Sequence, residues 1–507
     1  MSPASVDRSF FGHPRGLSTL FFTEMWERFS YYGMRGFLIL YMTAAVDVGG
    51  LGLGTPVAAA IYGTYTSMVY LLGLLGGWLA DRLLGQRRAV LYGGILIASG
   101  HFSLAFPSMS TFYLGLALIV IGTGLLKTNI SVIVGQLYEL RDRRRDAGFS
   151  IFYMGINLGA MIGPLATGLL AQSPGFRSWL AGMGVNPNSA WHWAFGAAGV
   201  GMTLGLVQYV LGSRHLGSAG INPTPAASPE AFDKLKRQTM VWLGGVALVL
   251  VAVGIALATG ALTLGPEQVT GAYRYVLLAI TIGFFAWLFG ANTWTREERG
   301  RLIVITVFFL ASALFWSVFE QAGSTLNLFA DRSTRNEILG ASFPSSWFQS
   351  VNAFCLIVFA PLFAWLWIRL GSRQPSSPAK FSFGLIAAGL GFLVLVPAAQ
   401  IAATGALVAP FWLLATYLLH TWGELCLSPV GLSSMTKLAP SRIVSLMMGV
   451  WFLGTAVGNY LGGQMAGLYE AMPLPNLFGA VGLFGVAAGV IMLMFSRPLA
   501  RMMHGAD

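Results

Sequence analysis

Charged residues are scarce in this chain. Only 10% of its 507 residues are Asp, Glu, Lys or Arg, and the mean hydropathy is +0.69, whereas about a quarter of the residues of a soluble domain are charged. This composition excludes a soluble protein and indicates an integral membrane protein. Repeated apolar runs of about 20 residues, rich in Gly, fit closely packed spanning helices and exclude a β-barrel, whose strands are short and alternating. The expected fold class is an all-α membrane protein.

Cysteine and metal-binding residues are equally rare. The two cysteines, Cys355 and Cys426, both fall in apolar runs, so they give no information about the redox compartment. The sequence shows no cluster of metal ligands and no nucleophile motif, and the isolated His101 and His420 are more simply explained as packed or polar-network residues. We therefore expect no enzyme, no metal site and no cofactor.

Basic residues are concentrated in alternate loops. The net charge of +11 could indicate a nucleic-acid partner, but the distribution of Lys and Arg follows the positive-inside rule, which places these loops and both termini in the cytoplasm. The residues concerned are Arg82, Arg87, Arg88, Arg141, Arg143, Arg144, Arg145, Lys234, Lys236, Arg237, Arg296, Arg299, Arg301, Arg369, Arg373 and Lys380. The first 16 residues lack a cleavage site, so no removable signal peptide is expected. These features predict a multi-pass protein of the cell (inner) membrane with no nucleic-acid partner.

The apolar runs predict fourteen spans in the order six, two, six. They lie at about 17–45, 56–81, 89–107, 110–137, 147–172, 192–212, then 239–262 and 273–293, then 301–330, 346–370, 382–402, 408–436, 443–470 and 476–496. We divide the chain into an N-terminal six-helix bundle (1–212), a cytoplasmic linker with an inserted transmembrane hairpin (213–297) and a C-terminal six-helix bundle (298–507). Two such halves are typical of secondary transporters, in which the substrate site lies between the halves near the membrane midplane. The inserted hairpin lacks intramembrane charge, and we expect it to be a peripheral structural element.

The first span carries an ionic face. At ~100° per residue, Glu24, Glu27, Arg28, Tyr31 and Arg35 fall within an arc of about 100°, opposite an apolar face. Each charge turned toward lipid near the midplane would cost roughly 2.5–3.5 kcal/mol. We therefore predict that this face lines an internal cavity. A helix lying in the membrane interface, or ion pairs with a structural role alone, are the alternatives.

Few other ionisable residues lie deep within the spans. The complete set is Glu24, Glu27, Glu320, Glu424, Arg28, Arg35 and Lys127. Counting 1.5 Å per residue brings Arg35 level with Glu320 in the outer half, and Lys127 level with Glu424 nearer the cytoplasm. Each pair joins opposite bundles. We predict two gating salt bridges, Arg35–Glu320 and Lys127–Glu424, although buried ion pairs can also be purely structural.

A cationic patch would thus face an anionic one. Arg28 and Lys127 lie at one level of the first bundle, and Glu424 faces them from the second. A zwitterion whose charges are roughly 4 to 10 Å apart, at ~3.5 Å per extended residue, would neutralise both patches. A short peptide fits this description, and so do other amphoteric molecules.

Six sequence motifs, found in both halves of the chain, resemble those of a known family. They are EMWERFSYYG at Glu24–Gly33, GGWLADRLLGQRR at Gly76–Arg88, GTGLLKTNIS at Gly122–Ser131, FYMGINLGA at Phe152–Ala160, FWSVFEQ at Phe315–Gln321 and GELCLSPVGLS at Gly423–Ser433. The chain resembles the proton-dependent oligopeptide transporters of the major facilitator superfamily. The resemblance implies the major facilitator fold and a proton-coupled symporter that imports di- and tripeptides by alternating access and functions as a monomer. Transport of nitrate or another small solute, and a non-transporting membrane sensor, are the alternatives.

The resemblance also implies roles for individual residues. Proton coupling would involve Glu24, Glu27, Arg28 and Glu320. Substrate binding would involve Arg28, Tyr31, Tyr32, Tyr70, Lys127, Asn157, Trp316, Asn352, Glu424, Trp451 and Thr455. The chain departs from the family pattern at Thr128, where Pro is usual, and at Ala160, where Ser is common. No His lies on the second span, so the carboxylates would have to carry the proton.

Overall fold

The structure is a computed structural model that describes residues 7, 9–139, 142–223, 228–259, 263, 265–290, 294–338 and 340–503. Arg141 of the predicted basic loops lies outside the described residues. So do residues 224–227, 260–262, 264 and 291–293 of the predicted linker and hairpin, as well as 1–6, 8, 339 and 504–507 of the two predicted bundles.

Helices account for nearly all of the described chain. They are α1 (Arg15–Thr43), α2 (Thr55–Leu79), α3 (Gln86–Leu104), α4 (Met109–Gln136), α5 (Arg145–Gln172), α6 (Pro174–Gly182), α7 (Ala190–Gly212), α8 (Pro229–Ala258), α9 (Pro266–Gly290), α10 (Arg296–Phe319), α11 (Thr325–Arg332), α12 (Gln349–Leu370), α13 (Ser377–Ala403), α14 (Phe411–Leu438), α15 (Val444–Ala466), α16 (Leu474–Met494) and α17 (Ser496–Met502). Two short antiparallel strands, β1 (Glu337–Ile338) and β2 (Ala341–Ser342), form a hairpin between α11 and α12.

The long helices follow the predicted order of six, two and six. Within the described ranges, fourteen helices have 19 residues or more: α1 to α5 and α7, then α8 and α9, then α10 and α12 to α16. Ten of the described helical segments are long and apolar enough to cross a membrane by composition alone. Four further helices, including α1 with its ionic face, complete the set. The prediction of an all-α membrane protein with two six-helix groups and an inserted pair is confirmed.

Packing groups the helices into two bundles. In the first bundle α1 packs on α5 and α7, α3 packs on α4 and α7, and α2 packs on α4; in the second, α13 packs on α14 and α16, and α10 packs on α15. The bundles meet along two seams, α2 against α15 and α5 against α12. We call the end of the molecule that carries the Arg-rich α2–α3, α4–α5 and α14–α15 loops the basic side, and the opposite end the distal side.

Two helices differ from their predicted spans. The helix α8 begins ten residues before the predicted apolar run, because the charged segment PEAFDKLKRQ continues the helix beyond the apolar part. The predicted span 301–330 is interrupted: α10 ends at Phe319, a 3-10 turn covers Glu320–Gly323, and α11 follows. The interruption places the Glu320 carboxylate at a bend rather than on a continuous helix face.

Candidate substrate cavity

A cavity of about 1620 Å³ lies between the two bundles and opens on the basic side. It exceeds the roughly 300–1,000 Å³ of an ordinary ligand site because it includes the wide mouth. Residues of the Arg-rich loops and adjacent helix ends line that mouth: Asp81, Arg82, Tyr138, Arg145 and Arg442. The cavity narrows toward the distal side, where the bundles are joined.

The ionic face of α1 forms one wall. The Arg28 guanidinium lies 3.0 Å from Glu24 and also forms an ion pair with Glu27, and all three side chains are buried. The close approach of α5 fixes this orientation, since a Cβ added at Gly159 would lie 2.1 Å from the Met25 carbonyl oxygen. This contact buries one side of α1 against α5, and Glu24 and Arg28 line the cavity. Glu24, Arg28 and Arg35 of this face line the cavity as expected, whereas Glu27 and Tyr31 do not.

A second cation stands beside this pair. The Lys127 ammonium on α4 lies 3.8 Å from the centre of the Tyr70 ring on α2, a cation–π geometry. Both residues line the cavity. Arg28 and Lys127 therefore present two positive charges from one bundle.

The acid Glu424 on α14 lies in the opposite wall. Asn352 on α12 donates hydrogen bonds to Glu424 Oε2 at 3.1 Å and to Thr421 Oγ1 at 3.0 Å, which orients the carboxylate. One turn nearer the distal side, Gln349 donates to the Tyr417 hydroxyl at 2.9 Å. These bonds hold a fixed polar surface on the second bundle.

An ion pair closes the distal end of the cavity. The Arg35 guanidinium forms the expected salt bridge with Glu320 and donates from Nε to the Tyr62 hydroxyl at 2.5 Å. Just beyond it, Asn327 Nδ2 donates to the Gly36 carbonyl oxygen at 2.8 Å. These contacts join α1 and α2 of the first bundle to the bend between α10 and α11.

A further polar layer seals the distal surface. Gln172 of α5 donates to Ser345 Oγ at 2.7 Å. On the other seam, Thr55 of α2 donates to Glu470 at 2.5 Å, and Arg332 pairs with the same carboxylate oxygen at 2.7 Å. The structure is thus open on the basic side and closed on the distal side.

Most of the predicted site residues line the cavity. These are Glu24, Arg28, Tyr32, Arg35, Tyr70, Lys127, Asn157, Trp316, Glu320, Asn352 and Glu424. Glu27 is fully buried behind Arg28 rather than in the wall.

Three predicted substrate contacts do not line the cavity in this conformation. The Tyr31 ring stacks on Tyr65, with ring centres 6.5 Å apart, and is buried between α1 and α2. Trp451 packs so closely against α14 that a Cβ at Gly431 would lie 2.2 Å from its ring, and the Thr455 hydroxyl donates to the Trp451 carbonyl oxygen at 3.3 Å. Helix packing therefore occupies these three side chains.

The predicted Lys127–Glu424 salt bridge is not formed. The two residues line the same cavity from opposite bundles, but no ion pair within 4.0 Å joins them among the residues described. The open basic side separates the helices that carry them. The pair stays a prediction for a conformation in which the basic side is closed.

Several wall residues lie outside the predicted set of substrate contacts. Tyr153, Gln349, Tyr417 and His420 add polar groups, and Ile280 and Phe284 of the inserted hairpin add apolar surface. The first four lie three, four or seven residues from Asn157, Asn352 or Glu424, and this helical spacing marks them as polar neighbours of the predicted residues. The hairpin residues carried no such signal, and the expectation of a peripheral hairpin needs correction for α9.

The described residues contain no group of three or more His, Cys, Asp or Glu side chains that could hold a metal ion. Charges on opposite walls and a seal at one end suit a site that binds a solute and then releases it on the other side. The fold and the cavity define a membrane transporter of the major facilitator type.

Comparison with known proteins gives the family. The family model described as "POT family" matches residues 87–482, and the chain belongs to this family. It is 40% identical to the "Peptide transporter YePEPT" of Yersinia enterocolitica over 99% of this chain and 97% of that one. It is 36% identical to a "Di-/tripeptide transporter" of Lactococcus lactis subsp. cremoris over 98% of each. A crystal structure of a peptide transporter POT in complex with sulfate has a TM-score of 0.88 and 43% identity, covering 99% of this chain and 98% of that chain.

Proposed function

We propose that this protein is a proton-coupled symporter that imports di- and tripeptides by alternating access. The observation that carries the proposal is the arrangement of Arg28 and Lys127 on one wall of the cavity and Glu424 on the other. These charges match the carboxylate and the amine of a short zwitterionic peptide. The relatives named as peptide and di-/tripeptide transporters support the same substrate class.

The two walls of the cavity would bind opposite ends of the peptide. Arg28 and Lys127 would bind the peptide carboxylate, and Glu424, oriented by Asn352, would bind the terminal amine. Because each wall belongs to a different bundle, a bound peptide draws the bundles together on the basic side. An empty cavity lacks this bridge, so substrate binding and closure are linked.

Proton coupling would act on the buried acids. Protonation of Glu320 removes the negative charge that holds Arg35, which weakens the distal seal and favours opening on that side. Protonation of Glu24 or Glu27 in the same way frees Arg28 for the peptide carboxylate. An inward proton gradient would then drive the cycle toward uptake.

The positive-inside distribution assigns the basic side to the cytoplasm. The protein would therefore lie in the cell (inner) membrane with both termini cytoplasmic, and the structure would be its inward-open state. We further propose that it is not an enzyme, that it needs no cofactor besides the proton, and that it works as a monomer within the lipid bilayer.

Proteoliposomes with an inward proton gradient test the proposal. We expect labelled dialanine to accumulate, and we expect unlabelled di- and tripeptides, but neither nitrate nor single amino acids, to compete. Glu27→Gln should abolish proton-driven accumulation while exchange of labelled for unlabelled peptide persists, because only the coupling acid is lost.

The matched control is Glu267→Gln, which removes an exposed acid at the start of α9 and should transport normally. Competition by nitrate alone would indicate an anion transporter. The absence of any substrate-dependent proton flux would favour a membrane sensor. Undiminished proton-driven accumulation by the Glu27→Gln variant would refute the coupling assignment.

A further inference from the structure

The two helices of the inserted hairpin have different surroundings. From Met240 onward, α8 has no buried residue among those described, as expected for a helix surrounded by lipid. In contrast, α9 buries Thr270, Tyr273, Leu277 and Leu288 and packs on α2 of the first bundle. One helix of the hairpin is therefore part of the transporter body.

A three-way junction joins α9 to both bundles. Ser67 on α2 is fully buried, and its Oγ lies 2.6 Å from the Ala456 carbonyl oxygen on α15 and 2.7 Å from the Tyr273 hydroxyl on α9. The Tyr273 ring also contacts Tyr460 on α15, with ring centres 5.8 Å apart. The junction lies on the α2–α15 seam, where a Cβ at Gly63 would come within 2.7 Å of the Cα atom of Gly463 in the opposite bundle.

The direction of each hydrogen bond follows from the number of protons. A serine hydroxyl has one hydrogen, and the Ala456 carbonyl oxygen can only accept, so Ser67 donates to Ala456. Tyr273 must then donate to Ser67. Chains of this kind strengthen each member, because a hydroxyl that accepts a hydrogen bond becomes a better donor. The phenol of α9 thereby strengthens the bond that joins the two bundles.

Toward the basic side, α9 continues along the same seam. Phe285 lies 4.9 Å from Phe309 of α10, measured between ring centres, and Ile280 and Phe284 form part of the cavity wall. Beyond the helix end, Arg442 of the α14–α15 connection lies 4.0 Å above the Trp294 ring. The helix thus packs on α2 of the first bundle and contacts α15 and α10 of the second through Tyr273 and Phe285.

We propose that α9 is a strap across the α2–α15 seam that stabilises the distally closed conformation, with Tyr273 as its positioning residue. We expect the separation of α2 and α15 on the distal side to break the Ser67–Ala456 bond, so the strap would oppose that step. The inserted hairpin would then set the balance between the two conformations rather than bind substrate. The inference rests on the proposed alternating-access function.

Distances between spin labels on the distal surface test the strap. Labels at Val46 and Leu407, both exposed and on opposite bundles, can be attached by cysteine substitution after replacing the two native cysteines with Ala. In lipid nanodiscs without substrate, the label pair should show a short-distance and a long-distance population. Tyr273→Phe should raise the ratio of the long-distance to the short-distance population by roughly 2- to 10-fold, the effect of one lost hydrogen bond. The matched control is Tyr275→Phe, since Tyr275 lies on the same helix and is exposed.

A second variant separates the strap from a local packing defect. Ser67→Ala should shift the distances in the same direction, and adding Tyr273→Phe to it should change little, because Tyr273 acts through Ser67. Unchanged distances in the Tyr273→Phe protein, or fully additive effects in the double variant, would overturn the proposal. The distance measurement is made without substrate and so does not depend on peptide transport. A protein that transports no peptide but shows these shifts would refute the proposed function and leave the strap proposal intact.

Discussion

At the scale of single residues, Glu424 offers the sharpest test of peptide recognition. Its carboxylate is oriented by Asn352, and Gln preserves the size and the hydrogen-bond acceptor while removing the charge. A hydrogen bond to a charged group contributes about 1.5–3 kcal/mol. Glu424→Gln should therefore raise the KM of dialanine uptake roughly 10- to 100-fold in a proteoliposome assay.

The control for Glu424 changes the peptide instead of the protein. An N-acetylated dialanine lacks the cationic amine, so the original protein should bind it weakly, as measured by competition. In the Glu424→Gln variant the same acetylation should weaken peptide binding only a little further, because the carboxylate that pairs with the amine is already gone. Equal losses on acetylation in both proteins would show that Glu424 does not bind the amine.

Charged residues were the part of the site that the sequence could predict. A charge within a span is costly unless it is paired or faces a cavity, so Glu24, Arg28 and Glu320 were conspicuous. Trp451 and Thr455 were predicted as substrate contacts but pack between helices in this conformation. Such side chains can serve packing as readily as binding, and neither use carries an energetic penalty that the sequence would reveal. Depth counting placed Lys127 level with its partner, but depth does not determine how far apart two bundles stand.

At the scale of elements, the bend between α10 and α11 determines the position of the distal gate, by which we mean the Arg35–Glu320 ion pair and its contact with Tyr62. Gly323 ends the 3-10 turn, and a Cβ there would lie 1.7 Å from the Tyr62 hydroxyl and 3.0 Å from Arg35 Nε. Gly323→Ala should displace Tyr62 and weaken the gate. We expect a loss of about 1–3 kcal/mol of stability, the usual effect of overpacking, measured by thermal unfolding in detergent, together with slower proton-driven uptake.

Gly182→Ala is the matched control for the bend. Gly182 ends the short helix α6, and a Cβ there would meet nothing within 4 Å. Its thermal unfolding and its uptake should equal those of the unmodified protein. A Gly323→Ala protein with the same thermal stability and uptake as this control would show that the contact at Tyr62 is not needed.

Long elements were predictable and their interruptions were not. Apolar runs of about 20 residues leave few alternatives to a spanning helix, so the order of six, two and six followed from the sequence. The bend at Glu320–Gly323 lies within a continuous apolar run, and one glycine does not distinguish a bend from a close helix contact. The role of α9 was missed for a related reason, because a neutral apolar helix looks the same whether it faces lipid or a cavity.

At the scale of the whole molecule, the sequence could not predict which side is closed. The two conformations of the proposed cycle would be built from the same helices with different contacts across the seams, and such states are separated by a few kcal/mol. The distal contacts are also of two kinds. Arg35 and Glu320 are buried at the end of the cavity, whereas Glu470 and Arg332 lie at the distal surface, with side chains partly exposed.

The surface contact should not serve as the proton sensor. Hydrogen bonds from Thr55 and then Arg332 lower the pKa of Glu470 from its ordinary value of 4.5, and Tyr469 is a further ionisable neighbour. A carboxylate with a lowered pKa contributes its stabilisation above its ordinary pKa and loses it only as the pH falls through the lowered value. Between pH 7 and pH 5 the contact should therefore stay intact.

We accordingly expect Glu470→Gln to increase distal opening by a similar factor at pH 7 and at pH 5, as measured by the Val46–Leu407 distance. The pH dependence of peptide uptake should keep its midpoint, because Glu470 is not among the acids proposed for proton coupling. Glu320→Gln should behave differently and slow proton-driven uptake, since it removes the buried partner of Arg35 at the distal end of the cavity. If the Glu470 substitution instead shifted the midpoint of uptake, proton coupling would have to include the distal surface, and the assignment of Glu470 to a pH-independent contact would be wrong.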